Sequence, residues 1–88
     1  MTEQEFAARL REQGFEQFVV VEREPGGVLD LHRHPFEAKA LVLHGSIEID
    51  CAGETRSYAA GEVFHLAREV EHAERYGPQG VRYLVGRR

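Results

Sequence analysis

The chain has 88 residues, 42% of them apolar, with 15 acidic and 11 basic side chains and a net charge of −4 at pH 7. That apolar share suits a folded domain and excludes a disordered tail; the acidic balance and scattered basic residues offer no face for neutralising phosphates, so no nucleic-acid partner is expected. A chain this short buries only roughly 60–65% of its unfolded surface, so a bound metal or a partner subunit would add stability that the core alone supplies poorly.

Thr2-Glu3-Gln4-Glu5 has the pattern of a capping box, followed by Phe6 and Leu10 at i, i+4 and by Gly14 as a stop. The spacing predicts one short helix within residues 1–14, and the glycine-punctuated remainder, 15–88, reads as a β-barrel completing a single domain over 1–88. Phe15 to Arg23 is a β-branched, apolar segment closed by Glu24-Pro25-Gly26-Gly27. Val28 to His34 alternates, with Leu29 and Leu31 on one face and Asp30, His32 and His34 on the other, until Pro35 bends it. Ala38 to Leu43 is a strand closed by His44-Gly45, and Ser46 to Cys51 with Thr55 to Tyr58 forms a hairpin around Ala52-Gly53. Val63 to Leu66, His72 to Tyr76 and Val81 to Val85 complete seven or eight short strands, with Gly77-Pro78-Gln79-Gly80 between the last two. Such a series indicates a sandwich or barrel.

Cys51 is the one cysteine, which rules out a disulfide within the chain and suits a reducing compartment. No apolar h-region opens the chain, and an apolar run such as Phe18 to Val21 is four residues long, far short of a membrane span. The expectation is a cytoplasmic protein with no membrane partner.

Spacing singles out three of the five histidines. His32 and His34, at i, i+2 on a predicted strand, leave the same face about 6.5–7 Å apart at the backbone, so their imidazoles can converge on one ion. His72, at the start of another strand, is placed to supply a third ligand. The competing reading is a polar strand face, which a His-x-His pair alone usually is. Glu74, at i+2 from His72, shares its face and is a candidate ligand, orienting group or general base. Tyr76, on the same parity, offers a phenol, and for both the alternative is an ordinary partly exposed strand face. His44 reads as a solvated turn residue, His65 as a satisfied structural histidine, and Cys51 as an inert small residue.

The segment from Gly26 through His32, His34 and Ala38 to Gly45 resembles the first motif of the cupin family, G(X)5HXH(X)3,4E(X)6G, with Ala38 in the place of the glutamate. The segment from Gly61 to Tyr76 resembles the second, G(X)5PXG(X)2H(X)3N. There Gly61 and His72 match, while Ala67, Glu69 and Tyr76 occupy the Pro, Gly and Asn places. The resemblance implies an all-β jelly-roll barrel holding one divalent transition metal (Zn, Fe, Ni, Cu or Mn) on His32, His34 and His72. With Ala38 at the motif position, two other carboxylates are candidates to reach the metal: Glu37, if a bulge near Pro35-Phe36 turns it inward, and Glu74.

Three functions follow. The resemblance implies a metal-dependent, oxygenase-like enzyme acting on a small organic acid, diketone or thiol, with Glu74 and Tyr76 as acid–base or orienting groups. It equally implies a small-molecule or metal-binding module without turnover. The departures at Ala38, Ala67, Glu69 and Tyr76 admit a third, a metal-free barrel with relic histidines. The segment of Phe15 and Phe18 to Val21, apolar on both faces, predicts a strand covered on both sides, and small cupins are similar in pairing through N-terminal strands, so a homodimer is expected.

Overall fold

A computed structural model describes all 88 residues. Helix α1 spans Glu3–Glu12. The Thr2 hydroxyl accepts from the Glu5 amide at 3.1 Å and the Glu5 carboxylate accepts from the Thr2 amide at 3.0 Å, so the capping box is formed. Phe6, Ala7 and Leu10 are buried against Phe15, Leu41 and Leu84, which places the helix on the outer surface of the sheet. No helix is long and apolar enough to cross a membrane.

Six strands follow: β1 (Gln17–Arg23), β2 (Val28–His32), β3 (Ala38–Cys51), β4 (Glu54–Ala59), β5 (Val63–Leu66) and β6 (His72–Arg87). The strand count expected from the turn signals is corrected here. His44-Gly45 does not end a strand, and Gly77-Pro78-Gln79-Gly80 does not separate two; each lies inside one long strand that bends there. The β3–β4 hairpin turns at Ala52 and Gly53, both at positive φ (53° and 80°), the backbone of a two-residue hairpin loop.

The two long strands organise the molecule. The C-terminal half of β6 pairs with β1 and with the start of β3, whose other edge carries β5. The N-terminal half of β6 pairs with β2 and with the end of β3, whose other edge carries β4. Both halves thus share β3 and β6, giving a jelly-roll-like fold. The expected barrel does not close, because β1, β2, β4 and β5 have no further partner within the chain. Inward side chains of the two halves, among them Ala40, Val42, Ile47, Ile49, Phe64, Tyr83 and Val85, form one core. Leu84 points the other way, under the helix, so the run Tyr83-Leu84-Val85 is buried on both faces.

A candidate metal centre

His32 ends β2 and His72 begins β6, and the two are direct partners across the antiparallel pair. Between the pairs Leu29–Glu74 and His32–His72, Asp30 and Leu31 oppose the single residue Ala73, a β-bulge. The simple alternation expected from Val28 to His34 is therefore broken. The strand also stops at His32 rather than His34, since Pro35 cannot extend a ladder and the His34 carbonyl accepts instead from the Glu69 amide at 2.8 Å.

His34 nevertheless arrives at the same point. Ring centroids are 4.2 Å apart for His32 and His72, 4.8 Å for His32 and His34, and 5.5 Å for His34 and His72. One nitrogen from each ring lies within 4.8 Å of the others. His72 is only 1% exposed, while His32 and His34 are half-buried. Phe36 stacks on His34 at 4.9 Å with its plane tilted by 14°, and the Arg87 guanidinium lies over the Phe36 ring at 4.8 Å.

Backbone carbonyls orient two of the rings. His32 Nδ1 is 2.6 Å from the Asp30 carbonyl and His72 Nδ1 is 3.2 Å from the Val70 carbonyl. A carbonyl only accepts, so each Nδ1 carries the proton and donates, leaving Nε2 of a neutral ring with a lone pair. His32 Nε2 is buried with no hydrogen-bond partner. His72 Nε2 faces the Glu74 carboxylate at 3.1 Å, and the same carboxylate oxygen is 3.7 Å from His32 Nε2. Lone pairs and a carboxylate oxygen repel one another across such distances, so the arrangement calls for a cation or an additional proton at its centre.

Burial by itself pulls the His72 imidazole pKa down, but the hydrogen bonds to Glu74 and Val70 and the Glu74 charge outweigh it, and the pKa is raised. For Glu74 burial pulls up, while the hydrogen bonds from His72 and Tyr76 and the His72 and His32 charges bring the pKa below its usual value. Burial and then the charges of His32 and His72 lower His34. Tyr76 donates its hydroxyl to the other Glu74 oxygen at 3.0 Å, and its pKa is raised by burial and by the Glu74 charge.

Glu37 is not part of this cluster, which corrects the alternative of a bulge turning it inward. Its carboxylate is 2.6 Å from Arg88 Nε and 2.6 Å from His65 Nε2, and its backbone exchanges two hydrogen bonds with Arg88, so it ties down the C-terminus. His65 is thereby a structural histidine as read, and His44 is exposed, on β3 rather than in a turn. Phe36 and the Asp30 and Val70 carbonyls escaped the sequence reading. Phe36 had a signal in its position two residues past His34; the carbonyls had none, since any residue carries one. The five main surface cavities, about 210 to 360 Å³ each, contain none of His32, His34 and His72.

Residues 19–85 match the family model described as Cupin domain. Among solved structures, the fold is similar to the cupin domain of Cnp3 from Schizosaccharomyces pombe, with a TM-score of 0.73 and 21% identity over 80% of this chain and 53% of that one. It is similar to the DMSP lyase DddQ from Ruegeria pomeroyi DSS-3, with a TM-score of 0.74 and 26% identity over 81% of this chain and 36% of that one. It also resembles an oxalate decarboxylase variant from Bacillus subtilis, with a TM-score of 0.72 and 19% identity over 80% of this chain and 20% of the other. This chain thus spans about half of the Cnp3 chain and less of the two enzymes. A search among curated proteins finds no match.

Proposed function

Because the chain belongs to the cupin family, we propose that it binds one divalent transition-metal ion through His32, His34 and His72 and uses the bound ion to hold a small organic acid, diketone or thiol. The observation that carries this reading is the buried His32 Nε2, which has no hydrogen-bond partner and faces a carboxylate and a second imidazole oriented by its own carbonyl. Nitrogen donors of this kind suit zinc, copper, iron and nickel. A bound divalent ion supplies Lewis acidity, polarising a carbonyl or acidifying a water. The protein's own part is to fix the tautomers of His32 and His72 through the Asp30 and Val70 carbonyls and to keep His72 out of water. Of the two residues expected to do acid–base work, Glu74 faces the histidines, whereas Tyr76 reaches Glu74, so we assign Tyr76 a positioning role.

Oxygenase-like turnover is one form of this function, and lyase or decarboxylase activity on a small organic acid is another, two of the structural neighbours being a DMSP lyase and an oxalate decarboxylase. A second reading is a binding or sensing module without turnover. It is favoured by the main cavities, none of which is lined by the three histidines. We also propose a homodimer in the cytoplasm, on the apolar first strand and the single free cysteine.

Elemental analysis of the untagged protein tests the metal reading. The expected result is about one equivalent of a divalent transition metal per chain, lost in His72→Ala. No metal in the purified protein, and none taken up on reconstitution with Mn²⁺, Fe²⁺, Ni²⁺, Cu²⁺ or Zn²⁺, would overturn it. With metal bound, catalytic consumption of an organic acid, thiol or diketone marks an enzyme, and saturable binding without conversion marks the sensing module.

A further inference from the structure

Resting on the metal reading above, we propose that Glu74 is a fourth protein ligand to the ion and that Tyr76 aims it. The Glu74 side chain is 7% exposed, and a carboxylate withdrawn from water needs a cation or a full set of donors. Its Oε1 accepts from Tyr76. Its Oε2 has no hydroxyl, amide, lysine or arginine partner and faces His72 Nε2 at 3.1 Å and His32 Nε2 at 3.7 Å. With both Nδ1 atoms donating to carbonyls, a neutral His72 turns its Nε2 lone pair on this oxygen and a protonated His72 donates to it, and in either state His32 Nε2 is left without a partner.

A metal cation between them would satisfy all three atoms at once, including His32 Nε2, which a proton on His72 leaves without a partner. The division of labour within Glu74 points the same way. Tyr76 occupies one oxygen, which leaves the other as a one-oxygen ligand and holds the side chain in a single orientation. The other carboxylate weighed from the sequence does not compete for the place. Glu37 is engaged by Arg88 and His65, and Ala38 carries no donor atom. The filled centre then holds three neutral imidazoles and one carboxylate, and keeps a net charge of +1 instead of +2. Its outer ligand is matched to a mono-anion in place of a dianion.

The experiment is a titration of the full-length chain with Co²⁺ alone, read by visible absorption and by competition with a chelator. Wild type, Glu74→Gln and Tyr76→Phe are compared. Glu74→Gln is expected to change the ligand-field spectrum and to weaken Co²⁺ binding at least about tenfold. Tyr76→Phe is expected to bind Co²⁺ with an altered spectrum and a smaller loss. An unchanged spectrum and affinity in folded Glu74→Gln would overturn the fourth ligand and leave the three-histidine reading standing. Failure of the wild type to bind Co²⁺ would overturn both. Should Glu74→Gln not fold, infrared difference spectra decide: one equivalent of Zn²⁺ added to wild type should displace a carboxylate band that Tyr76→Phe moves further. No carboxylate displacement would overturn the proposal.

Discussion

Glu69 has a φ of 63°, a left-handed conformation that side chains with a Cβ rarely adopt, and it stands where the second cupin motif carries glycine. The conformation is retained because the Glu69 amide donates to the His34 carbonyl at 2.8 Å, tying the turn before β6 to the segment that carries His34. Strain of this kind costs about 1–2 kcal/mol, and part of it returns as unfolded-state entropy when glycine is substituted. Glu69→Gly should therefore stabilise the fold by about 0.5 kcal/mol, or roughly 2–4 °C in Tm. Because only the backbone contacts His34, metal stoichiometry should not change. Thermal unfolding of the two proteins checks the first point, and a lower Tm in the variant would contradict it. Of the four motif departures, Tyr76 thus has a structural role of its own in holding Glu74, whereas at Glu69 the tie to His34 is made by a backbone amide that glycine would also supply.

At the scale of elements, β3 and β6 decide the architecture. Their glycines mark bends rather than ends, and Gly45 is the sharpest case. It has a φ of 72°, and a Cβ there would run into the Gly80 carbonyl of the adjacent long strand. The two bends are therefore packed backbone to backbone. Gly45→Ala should destabilise the protein by about 2–4 kcal/mol through the clash and the disallowed φ together. Denaturant unfolding measures this, and a change below about 0.5 kcal/mol would show that the two strands can separate there without penalty. The turn signals around His44 and Gly77 were legible, but their meaning was not. A glycine pair ends a strand when nothing pairs beyond it and bends the strand when partners continue on both sides. In β6 those partners are β1, β2 and β3, all supplied by distant segments.

For the molecule as a whole, the open edges carry the main consequence. Strand β1 pairs only with β6, and Val19 and Val20 on it are 39% and 53% exposed. Val28 and Leu31 of neighbouring β2 are 65% and 64% exposed. A small domain gains from covering such a surface. The proposed homodimer should give a mass of about 20 kDa by light scattering at micromolar concentration, twice the 10.0 kDa chain. A charged substitution, Val20→Lys, should return it to the monomer. A wild-type mass of one chain would contradict the dimer.

The sequence by itself determined the helix and its cap, the hairpin at Ala52-Gly53, the jelly-roll class and the three histidines, because each is written in short-range pattern: a 3.6-residue or two-residue period, a turn dipeptide, or a motif spacing. Only the tertiary structure decided that the sheet stays open, that eight segments are six strands, that Glu37 serves the C-terminus and that Tyr76 reaches Glu74. Those outcomes depend on cross-strand register, on a bulge opposite Ala73 and on carbonyls that any residue could supply. Contacts between residues far apart in the chain set the register and the bulge, while the carbonyls lie two residues before their histidines and leave no side-chain signal at all.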